Sequence, residues 1–324
     1  NNKLNTKLIK EKCDILFVPG GSFTTNFSPV ITMNQNLLPF ALKTIFSYGI
    51  SFLTIKFILL RCIQAFSFKK ANGIIFLTEY AKGRVLKVTG KLKGITKVIP
   101  HGIDENFFSN IRPQLKKNEF SNATPFKLIY VSNIEPYKHQ NQVIESVALL
   151  RSEGYHVSLK LIGSSNSSVL LQRFKKKVGF IDPDGEFIKY TGMMSHKQLQ
   201  SEYKKANIFV FASSCEAMPI TLMEGMASGV PIACSNRGPM SEIIGDACVY
   251  FDPENVDSIV CAIRSLIESP ELRVKKAKEA LNKAKHYTWE RCAEDTFSFF
   301  LDIVEDYANI TYEQKNFGSK SPIS

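Results

Sequence analysis

The sequence predicts an α/β protein with parallel strands, divided into two domains, and three observations carry that expectation. From residue 126 onward, short runs rich in β-branched and aromatic residues alternate with amphipathic helical stretches, the pattern of strands joined by right-handed helical crossovers. The chain has 324 residues, too many for one typical core and suited to two. Residues 105–125 are polar, turn-rich and without period, as an interdomain linker is. With 44% apolar and 22% charged residues, the composition excludes a disordered, collagenous or low-complexity chain.

Taken in order, the first strand is read at Asp14–Val18, closed by Pro19-Gly20-Gly21, and the second at Val30–Met33. Residues 41–68 are almost wholly apolar, broken by Lys43, Lys56 and Arg61 and followed by Lys69-Lys70. Their longest charge-free run, Thr44–Ile55, is 12 residues, short of the ~20 a spanning helix needs. Two readings stand side by side: a buried helix pair, or a basic and apolar surface resting on a membrane. A strand at Gly73–Leu77 and a basic helix at 80–90 lead to Val98-Ile99-Pro100-His101-Gly102-Ile103-Asp104. Past the linker, strands are read at Phe126–Val131, Val157–Ile162, Phe187–Tyr190, Ile208–Phe211, Pro231–Cys234 and Cys248–Phe251. Helices are read near 140–153, 167–178, 195–205, 220–228, 255–267 and 270–286. The expected division is a first domain over 1–104, a linker over 105–125 and a second domain over 126–286. A helix over 287–310 is expected to pack back towards the first domain, with a flexible tail over 311–324.

Charge is unevenly spread. Residues 1–120 carry 18 basic and 6 acidic side chains, whereas residues 121–324 carry 23 and 24. A basic first part beside a neutral second points to an anionic surface, either nucleic acid or acidic lipid. No aromatic-basic recognition motif accompanies the charge, so nucleic acid is set aside. Seven cysteines, an odd count without a Cys-x-x-Cys pair, read as reduced thiols in a cytoplasmic protein. The five histidines are scattered away from cysteines and carboxylates, so no metal site and no resident cofactor are expected. A nicotinamide dehydrogenase fails for want of Gly-x-Gly-x-x-Gly after a strand.

The most informative stretch runs Ser213-Ser214-Cys215-Glu216-Ala217-Met218-Pro219-Ile220-Thr221-Leu222-Met223-Glu224-Gly225 and on to Gly229-Val230-Pro231. It leaves a strand and opens a helix with Pro219 near the first turn, where a missing N–H is harmless. Amides at Met218, Ile220 and Thr221 would then face a phosphate. Glu216, ahead of the helix, suits sugar hydroxyls, and Glu224, within it, suits a ribose diol, because a carboxylate accepts two hydrogen bonds at once. Two glutamates at this spacing would otherwise be solvated charges; the strand–loop–helix setting favours a site.

This stretch resembles the signature of the family-4 glycosyltransferases of the GT-B fold, in which two glutamates are separated by seven residues. Val98–Asp104 with Phe108, Tyr130–His139, Asp246-Ala247 and Phe251-Asp252-Pro253 are similar to further segments of that family, in the same order. The resemblance implies two Rossmann-like domains facing across a cleft, the first incomplete and truncated at its amino end. It implies Glu224 on the donor ribose, Glu216 on the transferred sugar and Lys138, aided by the amides from Ala217 to Thr221, on the diphosphate leaving group, where a cation meets growing negative charge. Thr191 and Gly192 would lie near the base. Two departures are visible: Asn133 stands where the family usually has Arg, and the stretch Thr32–Asn36 lacks the family's His, leaving Asn34 and Asn36 as acceptor-side candidates.

What the resemblance implies is a retaining, metal-independent hexosyltransferase. It would move a sugar from a nucleotide-diphosphate donor, UDP- or GDP-linked, to a lipid-linked or saccharide acceptor in bacterial surface-polysaccharide synthesis. Peripheral contact with an anionic membrane on its cytoplasmic face would suit the basic first domain. Two alternatives remain at this point: a decayed, non-catalytic binding protein of the same fold, or a nucleotide-sugar isomerase.

Overall fold

The computed structural model describes residues 2–317 and divides them into two compact units. One holds the chain up to Gly102 together with the segment from Trp289 onward; the other is Ile103–Thr288.

In the first unit, α1 (Asn2–Lys10) precedes β1 (Leu16–Val18) and β2 (Val30–Asn34). Next come α2 (Leu42–Phe46), α3 (Phe52–Lys70), β3 (Gly73–Phe76), α4 (Glu79–Thr89) and β4 (Ile95–Val98). The strands lie in the order β1-β2-β3-β4, each pair parallel. Both inner strands are buried along their whole length, which is why they read as unbroken apolar runs. Ser51 caps α3 by accepting from the Thr54 amide. That helix carries apolar residues on every side, interrupted by Lys56 and Arg61, yet it buries only Thr54, Gln64, Ser67 and Phe68, while Phe52, Ile55, Leu59 and Phe66 stand exposed. The buried helix pair is therefore not what forms. The last helix, α12 in chain order (Trp289–Phe317), packs Phe300 on Phe17 at 5.0 Å between ring centroids and buries Ile303 against Gly73.

The second unit contains β5 (Phe126–Val131), α5 (Gln140–Ser152), β6 (Val157–Ile162), α6 (Ser168–Ile181), β7 (Ile188–Tyr190), α7 (His196–Lys205) and β8 (Ile208–Phe211). It continues with α8 (Ile220–Ala227), β9 (Ile232–Ser235), α9 (Met240–Ile243), β10 (Val249–Phe251), α10 (Val256–Glu268) and α11 (Pro270–Ala284). All six strands are parallel in the order β10-β9-β8-β5-β6-β7. Strand order reverses between β8 and β5, and at such a switch point the loops leaving adjacent strands part to form a crevice.

Four expectations need correction. Residues 105–125 are not a free linker: Ile103 already belongs to the second unit, Phe107 is buried, and short 3₁₀ turns form at Glu105–Phe107 and Lys117–Glu119. The fully buried Arg273 ties this segment down, donating to Gln114 Oε1 at 2.9 Å and to the Leu115 carbonyl while its guanidinium stacks on Phe126. Turn-forming residues made it look unstructured, but its backbone polar groups find partners on the sheet domain. The helix α1, ahead of the expected first strand, was not anticipated, nor were β4 and α9, which are four residues each and too short to show a period. Finally, α12 runs on to Phe317, through the first part of the expected flexible tail; residues 318–324 of that tail lie outside the described residues.

No described helix is long and apolar enough to cross a membrane.

Candidate functional site

The site is built on the loops that leave β5 and β8. Because these strands are hydrogen-bonded neighbours, segments some eighty residues apart in sequence come together at their carboxyl ends. The Ser214 amide donates to the Tyr137 carbonyl at 2.9 Å, and His139 Nε2 lies 2.8 Å from Ser214 Oγ. His139 adopts the left-handed conformation at φ +52°, ending the Pro136–Lys138 turn and opening α5. Tyr130, buried beneath, donates its hydroxyl to the Lys138 carbonyl, and burial pushes its phenol well up. These bonds hold Lys138 so that its ammonium pairs directly with the Glu216 carboxylate. The same ammonium sits 5.2 Å from the Tyr137 ring centroid. Burial, followed by the nearby Glu216 charge, pushes the Tyr137 phenol up.

Beyond Glu216 the chain enters α8. Pro219 takes the position before the helix, and its carbonyl accepts from Leu222 and Met223 at 3.0 and 3.2 Å. The amides of Ile220 and Thr221 stand ahead of the first intrahelical bond, where an anion is favoured. Ala217 and Met218 are buried in the approach to the helix. Glu224, one turn further, is only 5% exposed, and its Oε2 has no hydrogen-bond partner. Burial, reinforced by the charge of Asp104, pushes its carboxyl up to about 7. Tyr203 stands near it and donates to the Thr221 carbonyl at 3.1 Å. A buried carboxylate with an unused oxygen suits a ligand that brings hydroxyl donors. Gly225 lets α8 lie on β8: a Cβ there would come within 2.3 Å of the Phe209 ring.

The remaining second-unit candidates lie along the same edge of the sheet. Asn133 is exposed at the end of β5, its carbonyl accepting from Gln140 Nε2 at 2.6 Å. Thr191 and Gly192 follow β7, two strands away; the Thr191 amide donates to the Leu161 carbonyl at 3.1 Å, and Gly192 accepts from the Gly163 amide at 2.9 Å. Gly163 stitches the row together, since its φ is +140° and a Cβ would lie 1.9 Å from the Ser132 carbonyl oxygen. The edge thus runs from Thr191–Gly192 through Gly163 and Asn133 to Lys138 and Glu216.

Asn34 and Asn36 belong to the first unit, at the end of β2. Asn34 Nδ2 donates to the Asn36 carbonyl at 3.2 Å, and Asn36 Oδ1 accepts from the Leu38 amide at 3.0 Å, so both shape the turn into the 3₁₀ segment Leu38–Phe40. The buried Asn34 Oδ1 has no partner.

Sequence reasoning missed three contributors. Asp104 is the second source of Glu224's raised carboxyl, and its place in the crossover segment was the available signal. Arg237, after β9, pairs with Asp252 at 2.9 Å. Asp252 is held low first by the Glu254 amide, then by Arg237 and the nearby His139. Among the described residues, no group of three or more His, Cys, Asp or Glu is placed to hold a metal ion.

Two all-parallel sheets, one carrying a paired lysine and glutamate at its switch point, define an α/β protein of the GT-B glycosyltransferase type. The chain belongs to the family described as glycosyl transferases group 1, whose model matches residues 111–283. It is 28% identical over 232 residues to O-antigen chain mannosyltransferase B of Escherichia coli, covering 71% of this chain and 57% of the relative. It is 24% identical over 203 residues to a GDP-mannose-dependent alpha-(1-6)-phosphatidylinositol dimannoside mannosyltransferase of Mycobacterium tuberculosis, covering 61% and 50%. The chain spans about half the length of these curated relatives. Among solved structures, it resembles sucrose-phosphate synthase of Thermosynechococcus elongatus, with a TM-score of 0.75 and 15% identity over 94% of this chain and 77% of that one. Anabaena HepE in complex with UDP matches with a TM-score of 0.67 and 14% identity over 85% and 72%.

Proposed function

We propose that this protein moves a hexose, with retention at the anomeric carbon, from a nucleotide-diphosphate donor to a lipid-linked or saccharide acceptor in surface-polysaccharide synthesis. The observation that carries this reading is the convergence of Lys138 and Glu216 at the switch point, with the buried Glu224, one oxygen unused, on the helix that follows. In this reading Glu224 accepts both hydroxyls of the ribose and Glu216 orients the sugar. Asn133, Thr191 and Gly192 line the nucleotide's path. Lys138 and the amides at the start of α8 take up the charge that grows on the diphosphate as the glycosidic bond breaks, so the reaction calls on no metal. Asn34, with its partnerless buried oxygen, and Asn36 are the acceptor-side candidates. Both relatives described above are named mannosyltransferases, one of them GDP-mannose-dependent, which supports a GDP-sugar as the first donor to try; HepE's complex with UDP supports a UDP-sugar as the second. We place the enzyme on the cytoplasmic face of an anionic membrane, a position supported by the exposed apolar and basic surface of α3.

Thermal shift against UDP, GDP, ADP, CMP and dTDP tests the reading. One nucleoside diphosphate is expected to raise the melting temperature, and Glu224→Ala to abolish that rise. No shift with any nucleotide, or an unchanged shift in the variant, would remove the ribose site.

A further inference from the structure

The proposed donor brings two phosphates to the carboxyl edge of the second sheet, and the charges already there oppose its arrival. Six loops make this edge: residues 132–139, 163–167, 191–195, 212–219, 236–239 and 252–255. Together they hold four carboxylates, Glu135, Glu216, Asp252 and Glu254, against two permanent cations, Lys138 and Arg237. Asn133 contributes no charge, and Lys138 is already engaged by Glu216. The rim is net negative even with both cations, so a diphosphate held by Lys138 alone would meet a larger opposing charge than one that also engages Arg237.

We infer that Arg237 is a second phosphate-binding residue, which exchanges Asp252 for the donor diphosphate. The inference rests on the donor-binding reading above. Arg237 sits on the turn after β9, the strand beside β8, and its amide donates to Ser235 Oγ at 3.1 Å. Gly238, the next residue, has a φ of +68°, and a Cβ on it would lie 3.8 Å from the Ser214 carbonyl oxygen, so the turn abuts the loop that carries Glu216. Ser214 in turn contacts His139, the neighbour of Lys138. The two cations therefore flank the same loop. Arg237 reaches Asp252 with one nitrogen at 2.9 Å, and its side chain is about half exposed. An exposed pair of this kind is weakly held. A guanidinium offers a phosphate two parallel donors, a better match than the single contact it now makes.

The test is titration of the nucleoside diphosphate chosen by the thermal-shift panel, and of its monophosphate, against the wild type, Arg237→Gln, Arg237→Lys and Asp252→Asn. In Arg237→Gln the preference for diphosphate over monophosphate should fall about 10-fold, the size of one charge-assisted contact. Arg237→Lys should restore part of it, and Asp252→Asn should keep or raise it. An unchanged preference in Arg237→Gln, with Arg237→Gln and Asp252→Asn melting earlier by similar amounts, would make the pair a clasp for the turn and overturn the inference alone. Failure of the wild type to bind any nucleoside diphosphate would overturn the donor-binding reading and this inference with it.

Discussion

At the scale of the residue, Glu224 carries the clearest solution signature. Its carboxyl is pushed up to about 7 by burial and by Asp104, so the native state keeps a proton that the unfolded chain, with an ordinary carboxyl, has already lost. Between the ordinary carboxylate range and about pH 7 the folded protein binds more protons, and stability falls as pH rises through that window, by on the order of 3 kcal/mol. Glu224→Gln removes that loss. Melts at pH 5 and pH 8 should show the variant gaining on the wild type at the higher pH; an equal pH dependence would place the carboxylate in a wetter setting. The motif singled out Glu216 and Glu224, and the resemblance built on it singled out Lys138. The contact of Lys138 with Glu216 was not readable, because the two stand 78 positions apart and meet only through the pairing of β5 with β8. Asp104 was hidden in the same way, since its effect on Glu224 depends on tertiary packing.

At the scale of the element, the sheet was readable because its strands are buried on both faces and its helices carry apolar stripes. The elements that escaped, α1, β4 and α9, are short or half exposed and leave little pattern. Glycine positions give this scale its sharpest test. Gly163→Ala must relieve both a φ of +140° and a Cβ at 1.9 Å from the Ser132 carbonyl oxygen, at a cost of about 1–3 kcal/mol or more. The shift should pass into the loop after β5 and weaken the nucleotide-induced thermal shift. Gly179→Ala, in α6 with nothing within 4 Å, should instead stabilise by about 0.5–1 kcal/mol through helix propensity. If both variants melt alike, the close approach at Gly163 does not constrain the loop.

At the scale of the whole molecule, charge and apolar surface meet on the first unit. Residues 15–78 contain no Asp or Glu, and Lys43, Lys56, Lys69 and Lys70 are exposed beside Phe46, Ile50, Phe52, Ile55 and Leu59. Such a surface gains from apolar burial and from anionic headgroups together. Vesicles containing phosphatidylglycerol should pellet the protein at low salt, and vesicles of phosphatidylcholine alone should not. Phe52→Ser combined with Lys56→Glu should reduce pelleting several-fold, and salt should weaken it. Equal pelleting by both lipids would remove the electrostatic part of the argument. The sequence exposed the composition of this stretch but left open whether it faced inward, because a helix with apolar residues on every side has no phase from which to read a buried side.

The chain leaves the first unit at Gly102 and returns at Trp289, and at that doorway the Ile103 amide donates to the Tyr287 carbonyl at 3.0 Å. The second unit is thus an insertion whose two ends lie side by side, and the family match falls wholly within it. A cassette of this form can be exchanged without re-threading its host. On the donor-binding reading proposed above, substituting a relative's Ile103–Thr288 equivalent should change which nucleotide raises the melting temperature while leaving the first unit's sheet and its closing helix as they are.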